Sequence, residues 1–260
     1  MIGRAMNDVM PSMVPGFYRT HTGATCAALL RERLQWFWPD LRQQKILGIG
    51  YATPCLEAWR GRGALCVSAL QPDYVLDGER GELPHQDYEN ILCADPALLP
   101  FQDDTFDRIV LLHAFRDEAH AMTVLRGASR VLRDDGRMLL ITPSQWCGRL
   151  RQRRTPFARE PAFGARALGR IFDQTMLHTE RRDEVLFLPA QWGCRSLQFG
   201  QVTDIAGKVL APGLGSLSLI EVVKNSYSML SMPVQARRRV WRKRFASVPE
   251  GCGKVPPPQS

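Results

Sequence analysis

Five short runs of almost wholly apolar residues constrain this chain more than any other feature. They are Lys45-Ile46-Leu47-Gly48-Ile49-Gly50, Ala64 to Leu70 (ALCVSAL), Asn90 to Ala94 (NILCA), Asp107 to His113 (DRIVLLH) and Arg137 to Thr142 (RMLLIT). A strand with one wet face alternates apolar and polar residues, whereas a run that is apolar throughout belongs to a strand covered on both faces. Helical patterns fall between several of these runs. Thr22 to Trp38 spaces Ala27, Leu30, Leu34 and Trp38 along one face, with Thr22 as N-cap and Pro39 as stop. Pro54 opens a second helix over Cys55 to Arg60, and Arg116 to Leu132 is a third, with a broad apolar face. Strands and helices in alternation predict an α/β fold, a doubly wound, mostly parallel sheet.

Beyond Pro143 the pattern loosens into a helix over Ala165 to Met176, a strand over Glu184 to Leu188, a mixed segment from Gln191 to Leu210 and an apolar strand from Leu217 to Val223. The expected organisation is a helical segment over 1–44, an α/β domain over 45–225 with halves 45–143 and 144–225, and a basic tail over 226–260. That tail ends in VPPPQS and is expected to be partly disordered.

With 260 residues, 45% of them hydrophobic, the chain can bury a core without disulfides or metals. Its seven cysteines are scattered, without a C-x-x-C pair or a histidine at zinc-ligand spacing, and read as reduced thiols. The first residues lack the apolar run of a signal peptide, and no stretch approaches the roughly 18 apolar residues of a membrane span. A cytoplasmic protein is the expectation.

The net charge of +8 is unevenly placed: residues 1–136 carry 14 basic and 18 acidic side chains, and the remainder carry 20 and 8. The excess collects in Arg149, Arg151, Arg153, Arg154 and Arg159 and around Trp241, in Arg237-Arg238-Arg239 and Arg242-Lys243-Arg244. Such clusters suit RNA or another polyanion, a membrane surface or a protein partner, and equally a solvated face. Nucleic acid is thus one possible partner, and oligomeric state is left open.

The turn Gly48-Ile49-Gly50 at the end of the first strand is a place where backbone approaches a ligand. Read as a dinucleotide fingerprint it lacks a third small residue, and the second strand ends Ser68-Ala69-Leu70 with no acid for a ribose. The longer pattern is more specific. ILGIGYATP at Ile46 to Pro54, CADPALLPFQDDTFDRIVLLHAF at Cys93 to Phe115 and ASRVLRDDGRMLLITP at Ala128 to Pro143 resemble, in order and spacing, the class I S-adenosylmethionine-dependent methyltransferases, specifically the methyltransferase type 11 group. The resemblance covers Lys45 to Pro143.

It implies a Rossmann-like fold and S-adenosylmethionine as cofactor, bound by Gly48, Gly50, Tyr51 and Ala52 under its methionine part, Leu70 at the ribose, Asp95 and Pro96 at the adenine, and Leu112 near the reaction centre. No metal is implied. The glycine motif is degenerate. Gly48 stands where the family has an acid, Ala52 where it has a glycine that can adopt positive φ, and Pro54 where a third glycine is common. His113, at the mouth of the fourth strand, is either a general base for a hydroxyl or amine acceptor or a residue that caps the strand by bonding backbone. His120, on the following helix, reads as solvated surface.

Among the aromatics, Trp36, Phe37 and Trp38 are expected in the core, and Trp146 and Trp192 above the pocket. The Arg153-Arg154-Thr155-Pro156-Phe157 segment follows the fifth strand where the family inserts a substrate cover, and favours an anionic acceptor. Two functions follow from these residues: a methyltransferase acting on a small or macromolecular acceptor, and a methyltransferase-like protein without catalysis that binds through its basic half.

Overall fold

The computed structural model describes residues 13–70, 90–145, 155–188, 194 and 196–224. The chain divides into two units, Met1–Asn225 and Ser226–Ser260, the second lying outside the described residues. In chain order the first unit contains α1 (Met13–Arg19), α2 (His21–Phe37), β1 (Lys45–Gly50), α3 (Thr53–Leu56), β2 (Leu65–Leu70), β3 (Ile91–Cys93), β4 (Phe106–Leu112), α4 (Glu118–Val131), β5 (Leu132–Pro143), a 3-10 turn (Pro156–Arg159), α5 (Ala165–Thr175), β6 (Leu177–Val185), α6 (Leu197–Leu210) and β7 (Leu217–Lys224).

The seven strands form one sheet in the order β3-β2-β1-β4-β5-β7-β6, with β7 antiparallel to both its neighbours and the other described pairings parallel. The doubly wound reading therefore holds. Strand order reverses between β1 and β4, and ligands of such sheets bind beyond the carboxyl ends of the strands at that reversal.

Side chains alternate between two buried clusters, as a sheet covered on both faces requires. Ile46, Val110, Leu112, Leu139 and Ile141 point to the layer of α1 and α2, where Leu30 and Leu34 wait fully buried. Leu47, Ile49, Ile109, Leu111 and Leu140 point to α4 and α5. Side-chain caps set where the helices begin: α2 is capped two residues earlier than the expected Thr22, by Thr20, whose hydroxyl accepts from the Gly23 amide at 3.1 Å, and α4 is capped by Asp117, which accepts from the His120 amide at 2.8 Å.

Several elements depart from the sequence expectation. The helix after the glycine turn is only Thr53–Leu56, since the chain continues in turns to Gly63. The strand expected over Glu184 to Leu188 is β6, Leu177–Val185, and the mixed segment contains α6. Phe37 and Trp38 are in the core, but Trp36 is 60% exposed, with the Arg33 guanidinium 5.7 Å from its ring.

At the amino end of the sheet a buried carboxylate ties the layers together. Glu221 of β7 has no exposed surface; it accepts from the Trp38 indole at 2.7 Å and from Arg181 Nε of β6 at 2.6 Å, with Arg137 of β5 at 3.4 Å. Burial pushes the Glu221 carboxyl up, but the bonds from Arg181 and Trp38 and the charges of Arg181 and Arg137 outweigh it and hold the group below its ordinary 4.5. A carboxyl depressed in the folded state contributes stability above its unfolded pKa and loses it as pH falls through the folded value. Urea unfolding midpoints should accordingly fall as pH drops below about 4.5, and Glu221→Gln should start lower at neutral pH and fall less steeply.

Candidate functional site

β1 and β4 run in register to their carboxyl ends, with Gly48 opposite Val110 and Gly50 opposite Leu112. Gly50 has φ +84°, and a Cβ there would lie 2.3 Å from the Leu112 carbonyl oxygen, so the position admits only glycine. The next amide, Tyr51 N–H, donates to that same carbonyl at 2.8 Å. Ala52 follows at φ −87°, ordinary right-handed backbone, so alanine is accommodated there without positive φ. At Gly48 a Cβ would meet Leu56 Cδ1 at 2.8 Å and Ala52 Cβ at 2.9 Å. The departures at 48 and 52 are thus coupled, because apolar side chains fill the space an acid at 48 would need.

The other residues named from the sequence end on the same edge. Leu70 closes β2, 1% exposed, and its carbonyl accepts from the Ala94 amide at 2.9 Å. Asp95 and Pro96 follow β3; Asp95 is exposed, and its Oδ1 accepts from the Ala97 amide at 2.9 Å in a tight turn. Oδ2 is open to a ligand donor among the described residues. Leu112 is fully buried at the end of β4.

His113 comes next and is 2% exposed with φ +54°, a left-handed conformation uncommon for a side chain of this size. Two side chains bond its ring: Tyr18 Oη lies 2.9 Å from Nε2, and Glu160 Oε1 bonds Nδ1. Both of these bonds are to side chains rather than to backbone. A carboxylate only accepts, so Nδ1 carries the proton it donates to Glu160. Burial, first, and the nearby Cys26 and Cys55 raise the Tyr18 pKa well above its ordinary value, so the phenol stays protonated and donates to Nε2. The imidazole stacks on Phe157 at 4.7 Å, and Tyr18 stacks on Tyr51 at 5.6 Å.

Sequence reasoning missed Tyr18 and Glu160. Tyr18 belongs to α1, whose seven residues include Pro15 and Gly16, and Glu160 follows the 3-10 turn; they lie 95 and 47 residues from His113, and nothing local links them. Thr155-Pro156-Phe157 does reach the mouth, through Phe157. Arg159 is exposed at the end of that turn, and His120 is half-buried, its Nδ1 accepting from the Arg116 amide at 3.3 Å, which corrects its reading as solvated. Trp146, Trp192, Arg149, Arg151, Arg153, Arg154 and the basic groups around Trp241 lie outside the described residues.

A strand order that reverses between β1 and β4, with a seventh strand antiparallel, meets here a family match over residues 47–140, described as a methyltransferase domain. The chain has a class I methyltransferase fold. Three solved structures share it at low identity. A chain from a complex between a methyltransferase activator and a methyltransferase of Haloferax volcanii aligns at 14% identity and TM-score 0.55, over 82% of this chain and 96% of that one. PH0226 protein of Pyrococcus horikoshii aligns at 13% and 0.54, over 83% and 96%. A SAM-dependent methyltransferase of Leishmania major aligns at 11% and 0.52, over 82% and 80%. No curated protein matches. Among the described residues of this methyltransferase fold, no cluster of His, Cys, Asp and Glu could hold a metal ion, and no helix is long and apolar enough to cross a membrane.

Tyr18→Phe removes one hydrogen bond from a buried imidazole and leaves the ring stacking in place. It should cost about 1 to 2 kcal/mol of unfolding free energy in urea titration, and a variant as stable as the parent would mean that the Tyr18–His113 bond does not hold α1 on the sheet.

Proposed function

We propose that the protein is an S-adenosylmethionine-dependent methyltransferase whose cofactor and acceptor meet at the carboxyl ends of β1 and β4. The observation that carries this reading is the buried Glu160–His113–Tyr18 chain at the mouth of the strand reversal, with His113 in a left-handed conformation. The residues around the mouth fit the cofactor in its adenine half. Asp95 offers an open carboxylate oxygen to the adenine amino group, with Pro96 and Leu70 beside it, and the backbone of Gly48 to Ala52 turns beneath the place of the methionine part. Gly48 offers no carboxylate, so the amino acid end relies on backbone groups.

When bound, S-adenosylmethionine supplies a methyl group on a sulfonium that is itself a good leaving group, so the protein chiefly positions the nucleophile and receives its proton. His113 Nε2 is the receiving atom. As an acceptor hydroxyl or amine attacks, its proton passes to the Tyr18 oxygen while the Tyr18 proton passes to Nε2, and the Glu160 carboxylate stabilises the imidazolium that results. An anionic acceptor suits Arg159 and the basic residues that precede it in sequence. The alternative, a binding protein without catalysis, is favoured by one observation, the apolar filling at Gly48. It does not account for a strained, doubly bonded histidine.

Thermal unfolding with S-adenosylmethionine and S-adenosylhomocysteine separates the two. Ligand at about 100 times its Kd adds roughly 2.7 kcal/mol to the stability of the folded state, a readily measured rise in Tm. Asp95→Ala should weaken cofactor affinity about tenfold or more through loss of a charge-assisted bond. No shift with millimolar cofactor would leave only the binding protein.

A further inference from the structure

α6, which joins β6 to β7, is amphipathic in the reverse of the usual sense. Its inner face is small or polar: Asp204, 7% exposed, accepts from the Leu186 and Phe187 amides at 2.9 and 3.4 Å, and Lys208 reaches Asp183 at 2.7 Å. Gly207 packs so closely that a Cβ there would lie 2.2 Å from the Phe187 ring. These contacts fix the helix rotation and turn its apolar side outward. Phe199, Val202, Ile205, Val209 and Leu210 are 46%, 64%, 64%, 76% and 82% exposed. Val202, Ile205 and Val209 follow one another at steps of three and four, the seam spacing of a helix that packs on another helix.

We infer that this face is the dimer interface of the protein, occupied by α6 of a second copy. Area and charge both favour that occupant. The five side chains together expose the equivalent of more than three whole residues, an apolar patch on the order of 500 Å², at the upper end of what a monomer leaves open. With its polar rim it approaches the roughly 800 Å² that each partner hides in a stable interface. A two-fold interface pairs this patch with itself, so an unpaired charge near the axis would meet its own like charge, whereas an uncharged apolar stripe is self-complementary. The stripe carries none: the two charged residues of α6, Asp204 and Lys208, are held on the inner side. The same arrangement disfavours an anionic lipid surface, since helices that lie on membranes flank their apolar face with Lys and Arg.

Sedimentation velocity with light scattering from about 1 to 100 µM tests the inference. The full chain should have twice its 29.3 kDa mass at the upper concentrations. The double variant Ile205→Glu with Val209→Glu should be monomeric with unchanged circular dichroism, because both side chains project into solvent, and Val202→Lys should weaken association by at least tenfold. A wild-type chain monomeric throughout overturns the proposal, as does a dimer that survives the double variant. Cosedimentation of a monomeric wild-type chain with phosphatidylcholine vesicles, lost in the double variant, would assign the face to lipid instead.

Discussion

The Leu112 carbonyl is the point on which the mouth of the sheet is built. It lies so near the backbone of residue 50 that no side chain fits between, and it accepts the Tyr51 amide. One oxygen thereby clamps the end of β1 to the end of β4, and the two residues released beyond the clamp are Tyr51 and His113. Both then depart from extended geometry at the same level, which puts their rings within reach of one short helix, α1, through Tyr18. Without the clamp the turn would have no fixed exit. Tyr18 would then have no surface to close against.

Three buried polar side chains act as pins. Glu221 holds the end of α2 and strand β6 to β7, His113 holds α1 and the segment after the 3-10 turn to β4, and Asp204 holds α6 to the chain leaving β6. Each bonds groups from separate elements, and each would be costly to leave unpaired. The apolar clusters supply the bulk attraction but little direction. The pins select one arrangement of helices around the sheet.

This division of labour explains what the sequence discloses. β1, β2, β4 and β5 are legible because strands covered on both faces leave runs with few polar residues. β6 reads Leu177-His178-Thr179-Glu180-Arg181-Arg182-Asp183-Glu184-Val185, an edge strand whose charges pair with β5, β7 and α6, and no hydrophobic pattern marks it. α6 is obscured for the opposite reason, because its apolar residues face outward and its glycines and aspartate inward. At the site, the positions given by the resemblance all fall on one edge of the sheet, since each lies near or just beyond the carboxyl end of a strand. Tyr18 and Glu160 were not legible, because a hydrogen bond across 95 or 47 residues leaves no local spacing. The Gly48 and Ala52 departures, four positions apart in the sequence, are one packing change in space.

The central claim is that the edge formed by Gly48 to Ala52, Leu70, Asp95, Leu112 and His113 receives the cofactor, and a crystal structure grown with S-adenosylhomocysteine tests it most directly. The adenine amino group should lie on Asp95 and the thioether sulfur on the side of the mouth nearest His113. Ligand bound away from this edge, or on it in the reverse orientation with adenine toward His113, would mean that these residues do not form the cofactor site.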